Sequence, residues 1–94
     1  MYTFIEALAD GGVRAGLSRK VAMQLAAQTV KGAAMMCIES GLHPGALKDQ
    51  VCSAGGTTIA AVQTLEEHGF RAATMATVVS AAARSVELRE ESKS

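Results

Sequence analysis

The chain has 94 residues with nine basic and nine acidic side chains, room for one domain and no basic block that would hold a nucleic acid. Its three aromatics, Tyr2, Phe4 and Phe70, are too few and too scattered to stack bases. Eighteen residues are alanine, the best helix former, so the composition favours helix while giving each residue little apolar area to bury.

The pattern predicts five helices. The first runs from about Thr3 to Arg14, with Phe4, Ile5, Leu8 and Val13 near one face. Gly11-Gly12 weakens it, since each glycine costs about 1 kcal/mol against alanine, and Gly16 ends it. Ser18 is placed to cap the second, Arg19–Ser40, and Gly41 sits where a left-handed terminating glycine belongs. In that helix Lys20, Gln24, Gln28 and Lys31 form a narrow polar stripe, with Glu39 near its line. Val21, Met23, Leu25, Val30, Met35, Met36 and Ile38 make the other faces apolar. A helix apolar over most of its circumference is buried on most sides, which one small domain hardly achieves alone. The second helix therefore predicts a subunit interface.

Pro44 suits the first turn of a short third helix, Pro44–Val51, because its missing N–H has no partner to lose there. Cys52–Gly56 reads as a loop. The fourth helix, Thr57–His68, has Ile59, Val62 and Leu65 on one face and Gly69 as its stop. The fifth, Phe70–Glu91, sets Met75, Val78, Val79, Ala82 and Val86 against a polar side of Arg71, Thr74, Thr77, Arg84 and Glu91. The polar stretch from Arg89 to Ser94 is expected to fray. No alternation or hairpin signal argues for a strand. The expected fold is all-α, one helical domain over residues 1–94.

The charge-free run Val51–Leu65 is too short to span a bilayer, and no secretory leader opens the sequence, so no membrane partner is expected. Cys37 and Cys52 are expected to be free thiols. Neither His43 nor His68 stands in a metal-ligand spacing with them, so no metal site is expected. Cys52 reads as a loop-packing residue for want of a neighbouring base.

The best place for chemistry is Ser53-Ala54-Gly55-Gly56-Thr57-Thr58, at the start of the fourth helix. A helix start exposes N–H groups without internal partners, and the helix dipole adds partial positive charge. Two glycines let a ligand reach the backbone, and threonine hydroxyls offer further donors. Such a pocket accepts a carboxylate as readily as a phosphate. The same pattern also suits a plain helix start with a flexible turn.

These residues resemble pyrroline-5-carboxylate reductase. The family's signature segment is matched by PGALKDQVCSAGGTTIAAVQTLE, Pro44–Glu66, with its spacing of proline, leucine, valine, Ser-x-Gly-Gly-x-Thr loop and downstream Ala-Val and Leu-Glu. Upstream, EALADGGVRAGLSRKVA (Glu6–Ala22) is similar to the opening of the family's dimerisation domain; downstream, GFRAA (Gly69–Ala73) is similar to the start of its last long helix. Ala54 stands where many members have proline, and Val86 where a basic residue is frequent.

The resemblance implies an oxidoreductase of proline biosynthesis, cytoplasmic, reducing L-1-pyrroline-5-carboxylate to L-proline with NADPH or NADH. It implies an N-terminal Rossmann domain that holds the cofactor, and a homodimer of interlocked C-terminal helices that often assembles into rings. This chain shows no dinucleotide fingerprint, so no cofactor is expected on it, and it is expected to be inactive without the cofactor domain. By the same resemblance, backbone N–H groups near Gly55, Gly56 and Thr57 receive the substrate carboxylate. Thr58 bonds the substrate through its hydroxyl near the imine nitrogen, as the catalytic residue, and Ser53 supports or shapes the loop. The alternative is a stand-alone helical oligomerisation module whose anion loop is vestigial.

Overall fold

The computed structural model describes residues 1–93, and they form five helices with no strand among them: α1 (Tyr2–Arg14), α2 (Arg19–Ser40), α3 (Pro44–Val51), α4 (Thr57–Glu67) and α5 (Phe70–Lys93). The bounds of α2 and α3 agree with the sequence reading, α1 starts one residue earlier, and α4 ends one residue short of His68. By contact the chain divides into two units, Met1–Lys48 and the residues from Asp49 onward.

In the first unit α1 packs against α2 around three alanines, Ala9, Ala22 and Ala26, with half-buried Ile5 and Val13 against them. A core this small in side-chain volume needs close backbones, and Gly12 supplies the closeness. A Cβ added there would lie 3.1 Å from Ala22 Cβ and 3.3 Å from Leu17 Cδ1. The Gly11-Gly12 pair thus does more than weaken α1: the helix runs through both, and Gly12 is where α2 comes nearest. Gly16, at φ +113°, turns the chain after α1, and the Ser18 hydroxyl caps α2 by accepting from Val21 N–H at 3.3 Å. Exposed Asp10 and Arg19 join α1 to the start of α2 in an ion pair.

Beyond that contact α2 keeps its apolar faces outward. Only Ala22 and Ala26 are buried in it, while Leu25, Met36 and Ile38 are 52, 52 and 81% exposed. An open apolar hollow of about 180 Å³ lies between α1 and α2, lined by Leu8, Gly12, Leu17, Leu25 and Thr29 among others. By length and composition alone α2 is also long and apolar enough to cross a membrane. A search for charge-free runs passes over this helix, because Lys31 interrupts it. Gly41, at φ +68°, ends α2 in the left-handed conformation the sequence reading assigned to it.

In the second unit α5 follows α4 across a turn at Gly69, which has φ +66°. His68 Nδ1 lies 2.9 Å from the Thr64 carbonyl at the end of α4, and Arg71 Nε donates to Glu66 at 2.7 Å across the turn. No residue of α5 is buried, and its apolar face stands open, with Met75, Val78 and Val79 63, 65 and 68% exposed. The helix continues to Lys93 through the stretch expected to fray. Arg84 reaches Glu87 at 2.8 Å and Glu91 at 3.4 Å, and Lys93 lies 3.8 Å from Glu90, all pairs a helix brings onto one side. Ser94, the last residue of that stretch, lies outside the described residues.

Candidate functional site

The segment singled out in the sequence joins α3 to α4 and follows from local chemistry. Cys52 N–H closes the last turn of α3 on the Asp49 carbonyl at 3.3 Å. Ala54 and Gly55 then form a turn in which Gly56 N–H donates to the Ser53 carbonyl at 3.1 Å. Gly55 adopts φ +66°, which a side chain makes costly. Gly56 has ordinary φ and serves in another way: a Cβ there would displace the Ser53 hydroxyl and lie 3.3 Å from the Ser53 carbonyl. The two glycines therefore have separate tasks, one conformational and one steric.

Gly56 is also the N-cap of α4 and has no side chain to cap it. The first helical bond runs from Ala60 N–H to the Gly56 carbonyl at 3.3 Å, so the N–H groups of Thr57, Thr58 and Ile59 precede the helical ladder and lack an internal partner. The threonines sharpen the contrast. Thr64, Thr74 and Thr77, in helix interiors, turn their hydroxyls back onto the carbonyls of Ala60, Phe70 and Ala73. Thr57 and Thr58 have no earlier helical carbonyl to bond, and their hydroxyls have no protein partner among the described residues. Thr57 is exposed and Thr58 half-buried; Ser53 and Gly55 are exposed. Ser53, Gly55, Gly56, Thr57 and Thr58 are thus brought into one short turn with free donors at a helix N-terminus. That arrangement can receive an anion such as a carboxylate.

The match to known proteins decides the family. Residues 1–88 match the family model described as Pyrroline-5-carboxylate reductase dimerisation. The chain belongs to this family. The pyrroline-5-carboxylate reductase of Pisum sativum is 62% identical over 88 residues, covering 94% of this chain and 32% of that protein. That of Escherichia coli K12 is 60% identical over 73 residues, 78% of this chain and 27% of that protein. Among solved structures, the 1-pyrroline-5-carboxylate reductase of Streptococcus pyogenes superposes with a TM-score of 0.78 at 39% identity, over 81% of this chain and 29% of that one. The Plasmodium falciparum pyrroline carboxylate reductase with NADP bound gives 0.76 at 40% identity, over 79% and 28%. The chain spans about a third of the length of the reductases it matches. The resemblance read from Pro44–Glu66 and its flanks is the family found, and the match covers α2, the helix that passes for a membrane span by length, as part of the dimerisation domain.

The described residues do not fit a nicotinamide dinucleotide. They form helices only, so no strand-turn-helix unit cradles a pyrophosphate, and the positive-φ glycines Gly16, Gly41, Gly55 and Gly69 stand singly at helix ends. Among the same residues no three His, Cys, Asp or Glu side chains converge as a metal site would require. Cys37 and Cys52 are free, half-buried thiols. One side chain at the start of α3 went unassigned in the sequence: His43, whose Nδ1 accepts from Gly45 N–H at 2.9 Å and so caps α3. The His-Pro-Gly order is its only sequence trace, since a ring acceptor two residues before a glycine N–H becomes a cap only in the right rotamer.

Proposed function

We propose that this chain is the dimerising, substrate-binding part of a cytoplasmic pyrroline-5-carboxylate reductase, with the carboxylate of L-1-pyrroline-5-carboxylate, or of the product L-proline, seated on the turn between α3 and α4. The observation that carries this reading is the uncapped start of α4, where the N–H groups of Thr57 and Thr58 and both threonine hydroxyls are free of protein partners. Gly56 N–H is held by Ser53, so Gly56 serves mainly through the space it leaves, and Gly55 N–H has no backbone partner among the described residues. The half-buried Thr58 is the catalytic residue of this reading, in that its hydroxyl touches the substrate beside the imine nitrogen. NADPH or NADH, held by a Rossmann domain, supplies the hydride; this chain contributes the fixed position of the ring, which is where much of the rate advantage of a two-reactant step arises.

The partner is a second copy of this chain. The exposed apolar faces of α2 and α5 support that reading, as does the dimerisation family to which the chain belongs. Dimers of this kind are the units from which larger rings are built. An NMR titration of the chain with L-proline tests the site: saturable shifts confined to the amides of Gly55, Thr57, Thr58 and Ile59 are expected. A folded oligomer whose loop amides do not move would instead favour a helical oligomerisation module with a vestigial anion loop.

A further inference from the structure

We propose that His43 is a positioning residue for the Ser53–Thr58 turn, acting by keeping α3 wound. The inference rests on the site reading above. α3 has eight residues, none buried, with a glycine at its second position. Helices below about 12–15 residues are marginal on their own, so this one depends on its ends. At its start, Gly45 N–H donates to His43 Nδ1 at 2.9 Å while Ala46 and Leu47 N–H donate to the His43 carbonyl at 2.9 and 3.2 Å. A backbone N–H only donates, so Nδ1 accepts and the ring carries its hydrogen on Nε2. His43 thus engages three consecutive N–H groups of a helix start that has no acidic residue in its first turn. The glycine at 45 belongs to the same device: a Cβ there would lie 2.9 Å from Nδ1 and 3.3 Å from Cε1 of the ring.

At its other end α3 fixes the start of the turn. Cys52 N–H is held by Asp49, inside the last turn of α3, and Ser53 follows directly to accept from Gly56 N–H. Unwinding α3 releases the first of these bonds and with it the anchor of the Ser53 carbonyl. His43 therefore holds the turn in place through α3.

Amide exchange by NMR on the whole chain, with three variants, tests this. In His43→Ala the amides of Ala46–Cys52 and of Gly56 are expected to exchange about fivefold faster, the size of effect a lost side-chain cap gives. His43→Asn restores wild-type exchange, because its side-chain oxygen accepts from an N–H two residues on. Gly45→Ala separates this proposal from simple helix propensity. Alanine is the better helix former, yet displacing the His43 ring should speed exchange in α3 and at Gly56. Slower exchange in Gly45→Ala, or an unchanged Gly56 amide in His43→Ala, overturns the proposal. A wild-type loop that ignores L-proline defeats the site reading instead, while exchange still decides the part played by His43.

Discussion

The close approach of α1 and α2 makes Gly11 and Gly12 a sensitive pair of neighbouring positions. Both are helical, so replacing either with alanine removes the entropic cost of a glycine, a gain of roughly 0.5–1 kcal/mol. At Gly11 nothing lies within 4 Å of the new methyl, and the gain stands. At Gly12 the methyl meets Ala22 Cβ at 3.1 Å and Leu17 Cδ1 at 3.3 Å. Ala22 belongs to the three-alanine core, so the two helices must part or Leu17 must shift, at the roughly 1–3 kcal/mol that overpacking costs. The expected outcome is that Gly11→Ala is stabilised and Gly12→Ala destabilised, with a gap between them of about 1–3 kcal/mol. For a domain of this size each kcal/mol moves the melting temperature by about 4–8 °C. Thermal melts followed by circular dichroism at one fixed protomer concentration resolve that gap. Equal melting temperatures would refute the packing argument and return Gly12 to being a mere weak point of α1.

Four further outcomes follow. Ser18→Ala should cost about 1 kcal/mol, seen as a lower melting temperature, because it removes the acceptor for Val21 N–H. Gly55→Ala should cost roughly 1–2 kcal/mol in the second unit, the penalty for a side chain in the left-handed region, and weaken L-proline binding in the same titration that reads the wild type. Val79→Asp places a charge on the open face of α5 and should yield monomers by sedimentation with part of the helical content lost, because helix ordering gains from pairing, whereas an unchanged dimer would remove that face from the interface. Replacing Thr58 with valine keeps its volume and removes its hydroxyl; L-proline affinity should fall several-fold, by the roughly 0.5–1.5 kcal/mol of one hydrogen bond.

What could be read from the sequence was what local chemistry decides. Ser18, Gly41 and Pro44 set the limits of α2 and α3 because capping, the left-handed turn and the first-turn proline each act within a few residues. The turn at Ser53–Thr58 was legible in the same way, since two glycines before threonines and an apolar run mark an open helix start. Other features depend on where separate pieces of chain meet. The contact of Gly12 with Ala22 is tertiary, and no local count reveals it. That a side chain at position 56 would meet the Ser53 hydroxyl is visible only once the turn is closed. The run from Arg89 to Lys93 points to fraying by its polarity, and the same polarity spaced at three and seven residues pairs across helical turns, as Arg84 does with Glu87 and Glu91.

The small-residue composition also bears on how the turn between α3 and α4 is held. Alanine and glycine let α1 and α2 approach closely, but three buried alanines remove little apolar surface from water. The larger side chains, Leu25, Met36 and Ile38 on α2 and Met75, Val78 and Val79 on α5, are left facing outward. A chain built this way gains most of its apolar burial by association, so ordering of its helices and pairing of its copies are coupled. A turn anchored only by an eight-residue helix and the start of α4 gains from the same coupling, because neither flanking helix has a buried residue of its own to hold it still. Association of copies then steadies the turn between α3 and α4 as well as the helices themselves.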